Sequence, residues 1–65
     1  MRLIWHMHSC FEVSDEVTVV IDPHDGRSIG VKPPQLRADL VLISHDHFDH
    51  NAIRVVKGDY TVIRD

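Results

Sequence analysis

Apolar and polar positions along this chain fall into short runs with two different periods. Over residues 2–7, Leu3, Trp5 and Met7 alternate with Ile4, His6 and His8, the period of two that a strand imposes. Residues 10–13 and 16–21 form a second pair of runs. They are rich in β-branched side chains, and the polar Ser14 and Asp15 between them predict a hairpin. Leu40, Val41, Leu42 and Ile43 are apolar without interruption, the pattern of a strand covered on both faces. The spacing then changes: Ala52, Val55 and Val56 make an i, i+3, i+4 stripe that predicts a short helix over residues 51–57. Lys57 suits its C-terminus and Gly58 the left-handed residue that ends it. Residues 60–63 form a last strand.

Between residues 22 and 39 neither period is visible. Asp22 and Pro23, Asp25 and Gly26, Gly30, and Pro33 and Pro34 punctuate the backbone, so irregular structure is expected over most of the stretch. Loops this long in compact domains are usually functional or mobile.

Length and composition narrow the function classes. With 65 residues the chain holds one domain at most, and a domain of that size buries only about 60% of its unfolded surface. Hydrophobic residues at 43% and charged ones at 26% describe a globular chain rather than a disordered one. The net charge of −3 and the scattering of the seven Lys and Arg argue against a nucleic-acid partner. No run approaches the roughly 20 apolar residues of a membrane span, and the start turns polar too soon for a signal peptide. Cys10 is the single cysteine, which excludes an internal disulfide and makes a reducing cytoplasm the simplest home. It reads as a small buried side chain rather than a nucleophile, because nothing nearby marks an activated thiolate.

The chemistry is concentrated after Ile43. His45, Asp46, His47, Asp49 and His50 place three imidazoles and two carboxylates in six consecutive residues. These are the ligand groups of zinc and similar divalent metals. In an extended segment His45, His47 and Asp49 share one side, and a turn after Asp49 would swing His50 towards the same centre. One ion, or two a few ångströms apart, could be held there. Asp49 also has a purely structural reading as a helix N-cap.

Residues 38–50 closely resemble the metal-binding signature of the metallo-β-lactamase superfamily. Trp5, the run His8, Ser9, Cys10 and Phe11, and the run from Val19 to Pro23 are similar to the opening strands of its broad subgroup of uncharacterised metal-dependent hydrolases. Sugar-phosphate lactonases and phospholipase-D-like enzymes belong to the same subgroup. The resemblance implies an α+β fold, an αββα sandwich of two mixed sheets with helices outside. Residues 1–65 would be a single partial domain, its N-terminal part, with about five strands and one short helix after the metal motif.

The resemblance also implies roles. His45 and His47 would hold one metal and Asp49 and His50 a second, zinc being expected, with manganese and iron as alternatives. Asp49 would in addition orient the attacking water as the catalytic residue, while Asp46 and Phe48 fall at variable positions. His8 would lie near the cleft, its other reading being a satisfied structural histidine; the subgroup usually has glycine where this chain has Met7. Asp22 would order the metal loop, or serve only as a turn residue ahead of proline. His24 and Lys32 lie in the segment near the mouth of the site, where a substrate can be met.

The family's further ligands, two histidines and a bridging aspartate, lie well downstream. After His50 this chain has no histidine, and its only carboxylates are Asp59 and Asp65. The expected function is a metal-dependent hydrolase of esters, lactones or phosphodiesters that acts on a small molecule. The other reading is a non-catalytic metal-binding or assembly module. Either way the chain is expected to need the remainder of a polypeptide, a companion chain or a homo-oligomer mate, with neither nucleic acid nor membrane as partner.

Overall fold

The computed structural model describes residues 1–64. Its main element is a five-stranded mixed sheet made of β1 (Arg2–Trp5), β2 (Phe11–Ser14), β3 (Thr18–Ile21), β5 (Leu40–Ile43) and β7 (Thr61–Arg64), which lie side by side in that order. Two further short strands, β4 (Leu36–Arg37) and β6 (Val56–Lys57), pair in parallel as a separate ribbon. In the main sheet β1, β2 and β3 form an antiparallel meander, whereas β3, β5 and β7 are parallel. The C-terminal ends of β1, β3, β5 and β7 therefore lie along one edge of the sheet. That edge carries the site.

Directly paired residues share a face of a sheet. One face presents Val20, Val41 and Ile43, which are buried, with Ile4, Glu12 and Val62 beside them. It packs on Cys10, Leu36, Ala38 and Val56, with Ile53, Val55 and Tyr60 at the margin, and this is the core. The opposite face presents Leu3, Trp5, Phe11, Val13, Val19, Ile21, Leu40, Leu42 and Ile63. None of the described residues covers that second face: Leu3, Trp5 and Ile63 are 66%, 58% and 56% exposed.

The continuous apolar run of β5 is thus covered on one side only. Val41 and Ile43 are buried while Leu40 and Leu42 are half-buried. The run reads as doubly covered because its outer side chains belong to the same bare apolar face.

Residues 51–57 differ more sharply from expectation. They form a 3-10 turn, Ile53–Val55, followed directly by β6, and no α-helix occurs among the described residues. Ala52 and Val56 are buried and Val55 half-buried, so the apolar stripe is real. A 3-10 turn that runs into a strand satisfies the same stripe, and three β-branched residues in four favour the extended exit. The carbonyl of Ile53 accepts the Tyr60 hydroxyl at 3.0 Å, which holds the turn on the core. Gly58 does not cap a helix. It sits at φ 109°, where an added Cβ would lie 2.7 Å from the Ala38 carbonyl oxygen.

The loop over residues 22–39 is irregular apart from a 3-10 turn, Arg27–Ile29, and β4. Gly26 permits its tightest fold, at φ 79°, where a Cβ would meet the Pro33 backbone at 2.5 Å. His24 is 1% exposed. Its Nε2 lies 2.6 Å from the His6 carbonyl oxygen, while its Nδ1 accepts the Gly26 amide at 3.0 Å. These contacts fix it as a neutral ring that holds loop to sheet, not as a residue facing a substrate. Lys32 is exposed on the same loop.

Candidate metal centre

The site is built from the loop that leaves β5 and from one anchor on the neighbouring strand end. Asp22 follows β3 in a left-handed conformation (φ 50°), which Asp tolerates better than most residues. Its Oδ1 accepts the Ser44 amide at 2.7 Å and its Oδ2 accepts the Ser44 hydroxyl at 2.6 Å. Oδ2 also faces His50 Nδ1 at 3.1 Å. Burial pushes the Asp22 carboxyl up, but the two hydrogen bonds from Ser44 and the one from His50 outweigh it, and the pKa ends below the usual carboxylate range.

This network decides which ring nitrogens carry protons. An ionised carboxylate only accepts, so His50 Nδ1 must be the protonated nitrogen. Ser44 has one hydroxyl proton, which goes to Asp22, so the Ser44 oxygen can only accept from His45 Nδ1, 3.0 Å away. His47 Nδ1 lies 2.7 Å from Asp49 Oδ1 and is a donor by the same reasoning. On all three rings Nδ1 is therefore the engaged nitrogen. A histidine held through one nitrogen by a carboxylate or hydroxyl, with the other presented, is the usual arrangement of a metal ligand.

The loop coils without a helix, and of its ligand-type side chains only Asp49 and His50 gather within 4.8 Å, together with His8; His45 and His47 stand outside that group. His47 N donates to the His45 carbonyl at 3.0 Å and His50 N to the His47 carbonyl at 2.8 Å, so the chain coils tightly from His45 to His50. The rings of His45 and His50 lie 3.8 Å apart, centre to centre, and those of His45 and His47 6.3 Å apart. His50 Nε2 is 3.5 Å from Asp49 Oδ1. Ala52 N then donates to the Pro23 carbonyl at 3.0 Å, which pins the loop's exit to the segment after Asp22. Asp46 points elsewhere and accepts the Asn51 side chain at 2.7 Å, and Phe48 is exposed.

His8 joins the cluster from the far end of the sequence. Its Nε2 lies 2.6 Å from Asp49 Oδ2, and one ligand atom each from His8, Asp49 and His50 all lie within 4.8 Å of one another. The hydrogen bond from His47 holds the Asp49 carboxyl down, against a smaller opposing effect of desolvation and with help from His8, at about 2. Asp49 is therefore an anion at any ordinary pH.

Two participants are silent in the sequence. Ser44, the hub between Asp22 and His45, is a common residue at a strand end, and only its place directly before the ligand run marks it. Trp5 donates its indole Nε1–H to the His8 carbonyl at 2.9 Å, and nothing in the pattern signals that contact.

The donor set suits a divalent metal: imidazole nitrogen and carboxylate oxygen, with the remaining nitrogens already committed as donors. The sequence profile of the beta-lactamase superfamily domain matches residues 2–65. The chain belongs to the beta-lactamase superfamily. Curated relatives of this superfamily member are named UPF0173 metal-dependent hydrolases. It is 40% identical over 67 residues to one from Thermoplasma acidophilum, an alignment that covers 97% of the chain and 30% of the relative. It is 42% identical over 62 residues to one from Methanopyrus kandleri, covering 88% of the chain and 27% of the relative. With one from Archaeoglobus fulgidus the identity is 33% over 61 residues, covering 88% and 26%. The chain thus spans less than a third of the length of these relatives. No solved structure matches it.

Proposed function

We propose that this chain supplies the first metal-binding loop of a metal-dependent hydrolase. The observation that carries the reading is the engagement of each loop histidine through Nδ1: His45 with Ser44, His47 with Asp49 and His50 with Asp22. His45 and His47 would hold one divalent ion, Asp49 and His50 a second. Zinc suits the nitrogen-rich set, with manganese and iron as alternatives. A bound divalent ion makes hydroxide available from water near neutral pH. Asp49, ionised and fixed through both oxygens, would orient that water as the catalytic residue.

A catalytic zinc normally has three protein ligands, and the loop offers two for each ion. The missing ligands would come from the rest of an αββα sandwich, whose second layer would also cover the bare apolar face. The substrate class is a small ester, lactone or phosphodiester. The free buried thiol of Cys10 is compatible with a reducing cytoplasm.

Elemental analysis of the purified protein, combined with turnover on a panel of phosphodiesters, lactones and esters before and after chelation, tests the reading. One or two equivalents of metal with chelator-sensitive hydrolysis is the expected result. Bound metal with no turnover on any member would favour the non-catalytic metal-binding module, and absence of bound metal would overturn both.

A further inference from the structure

The turn between β1 and β2 holds an unusual backbone for its sequence. Met7 (φ 69°) and His8 (φ 53°) are both left-handed, a conformation uncommon outside glycine that His adopts more readily than Met. Such a conformation persists only where its surroundings impose it. Here Cys10 N donates to the Met7 carbonyl at 3.1 Å, His6 N to the Cys10 carbonyl at 2.8 Å, and Trp5 Nε1 to the His8 carbonyl at 2.9 Å. The Trp5 side chain is largely exposed, so its clearest local task is that last hydrogen bond.

The strained turn aims His8 at Asp49, 41 residues away in sequence and 2.6 Å away in space. The His8 nitrogen nearest the site, Nε2, is thus engaged by the Asp49 carboxylate. Asp49 Oδ1, on the other side of the carboxylate, faces His47 and His50. We propose that His8 is a positioning residue: it holds Asp49 Oδ2, and the Trp5-braced turn holds His8, so that Oδ1 stays directed at the metal-facing histidines. The proposal rests on the metal-centre reading above. It adds a second brace, built from β1, to the one that Asp22 provides from β3.

The test uses the protein with bound metal removed, titrated with zinc in competition with a chromophoric chelator and with cobalt(II) read by its absorption spectrum. His8→Ala is expected to weaken one class of ion by roughly ten- to a hundredfold, the usual effect of losing such a supporting contact. The number of ions and the cobalt spectrum should not change. His8→Gln places an amide N–H where the ring Nε2 was and should restore most of the affinity. Trp5→Phe, which keeps the ring and deletes the indole donor, should lose affinity in the same direction but less. Circular dichroism and thermal unfolding of the metal-free variants check that each is folded.

Unchanged affinity in both His8 variants would overturn the proposal. So would an altered cobalt spectrum with His8→Gln as weak as His8→Ala, because His8 would then be a ligand itself. If the wild-type protein takes up no ion, the metal-centre reading falls and the inference falls with it. Uptake by the wild type with unaffected variants removes His8 alone.

Discussion

Asp22 grips Ser44 twice, through the amide at 2.7 Å and the hydroxyl at 2.6 Å, and so locks the end of β3 to the first residue of the metal loop. Removing that grip should act on stability and on metal affinity together. In Asp22→Ala the buried His50 Nδ1 loses its acceptor, at about 1–3 kcal/mol, while the donors of Ser44, which is exposed, turn to water. Asp22→Asn tolerates the same left-handed backbone and keeps one acceptor oxygen, so its loss should be smaller. Thermal unfolding and metal titration of both variants check the order. Equal melting of wild type and Asp22→Ala would show that the network contributes nothing.

His47 is the exposed member of the histidine set, with 60% of its side chain accessible. In the complete protein, His47→Ala should abolish hydrolysis while leaving the melting temperature nearly unchanged, since little packing is removed. Retained turnover at saturating metal would assign the ligand role elsewhere.

Most of the strand framework was legible in residues 1–21 because alternation and the polar break at Ser14 and Asp15 are local signals. The cluster of imidazoles and carboxylates from His45 to His50 was legible for the same reason. The 3-10 turn and β6 were not. Val56 becomes a strand residue through pairing with Leu36, and a partner so distant leaves no trace in the periodicity. The proton pattern of the histidines was equally hidden, because it depends on Asp22 and Ser44 meeting across 22 residues.

Met7 offers a stability test. A left-handed non-glycine residue costs about 1–2 kcal/mol, and glycine, found at this position in the resembled subgroup, returns part of that gain through greater freedom in the unfolded chain. Met7→Gly should therefore stabilise the protein by about 0.5–1 kcal/mol, since Met7 is half exposed and little packing is lost. Denaturant titration measures it. A clear destabilisation would mean that the methionine side chain holds the turn.

Burial pushes the Cys10 thiol from 9.0 up to about 11. The folded-state pKa lies above the unfolded one, so this group's contribution to stability is complete below about pH 9 and is lost as pH rises towards 11. The slope is at most about 1.4 kcal/mol per pH unit. A thiol reagent at pH 8 should label Cys10 only on the timescale of unfolding. Immediate labelling of the native protein would contradict this placement.

The bare face of the sheet bears on the isolated 65-residue chain. Leu3, Trp5 and Ile63 lie exposed on it, β1 and β7 are open edges, and such surfaces pair with other chains. Light scattering on the chain alone should report association rather than a compact monomer. A monomer with cooperative thermal unfolding would be the contrary result.

The parallel pairing of β3 with β5 also sets an order of events in time. Asp22 and Ser44 are 22 residues apart, and His8 and Asp49 41, so the histidines gather only after the middle of the sheet has closed. Contacts of such long sequence separation form late and slow the folding reaction. An ion that recognises only the gathered loop meets the chain after the rate-limiting step. Metal added during refolding should therefore leave the folding rate unchanged and lengthen the lifetime of the folded state.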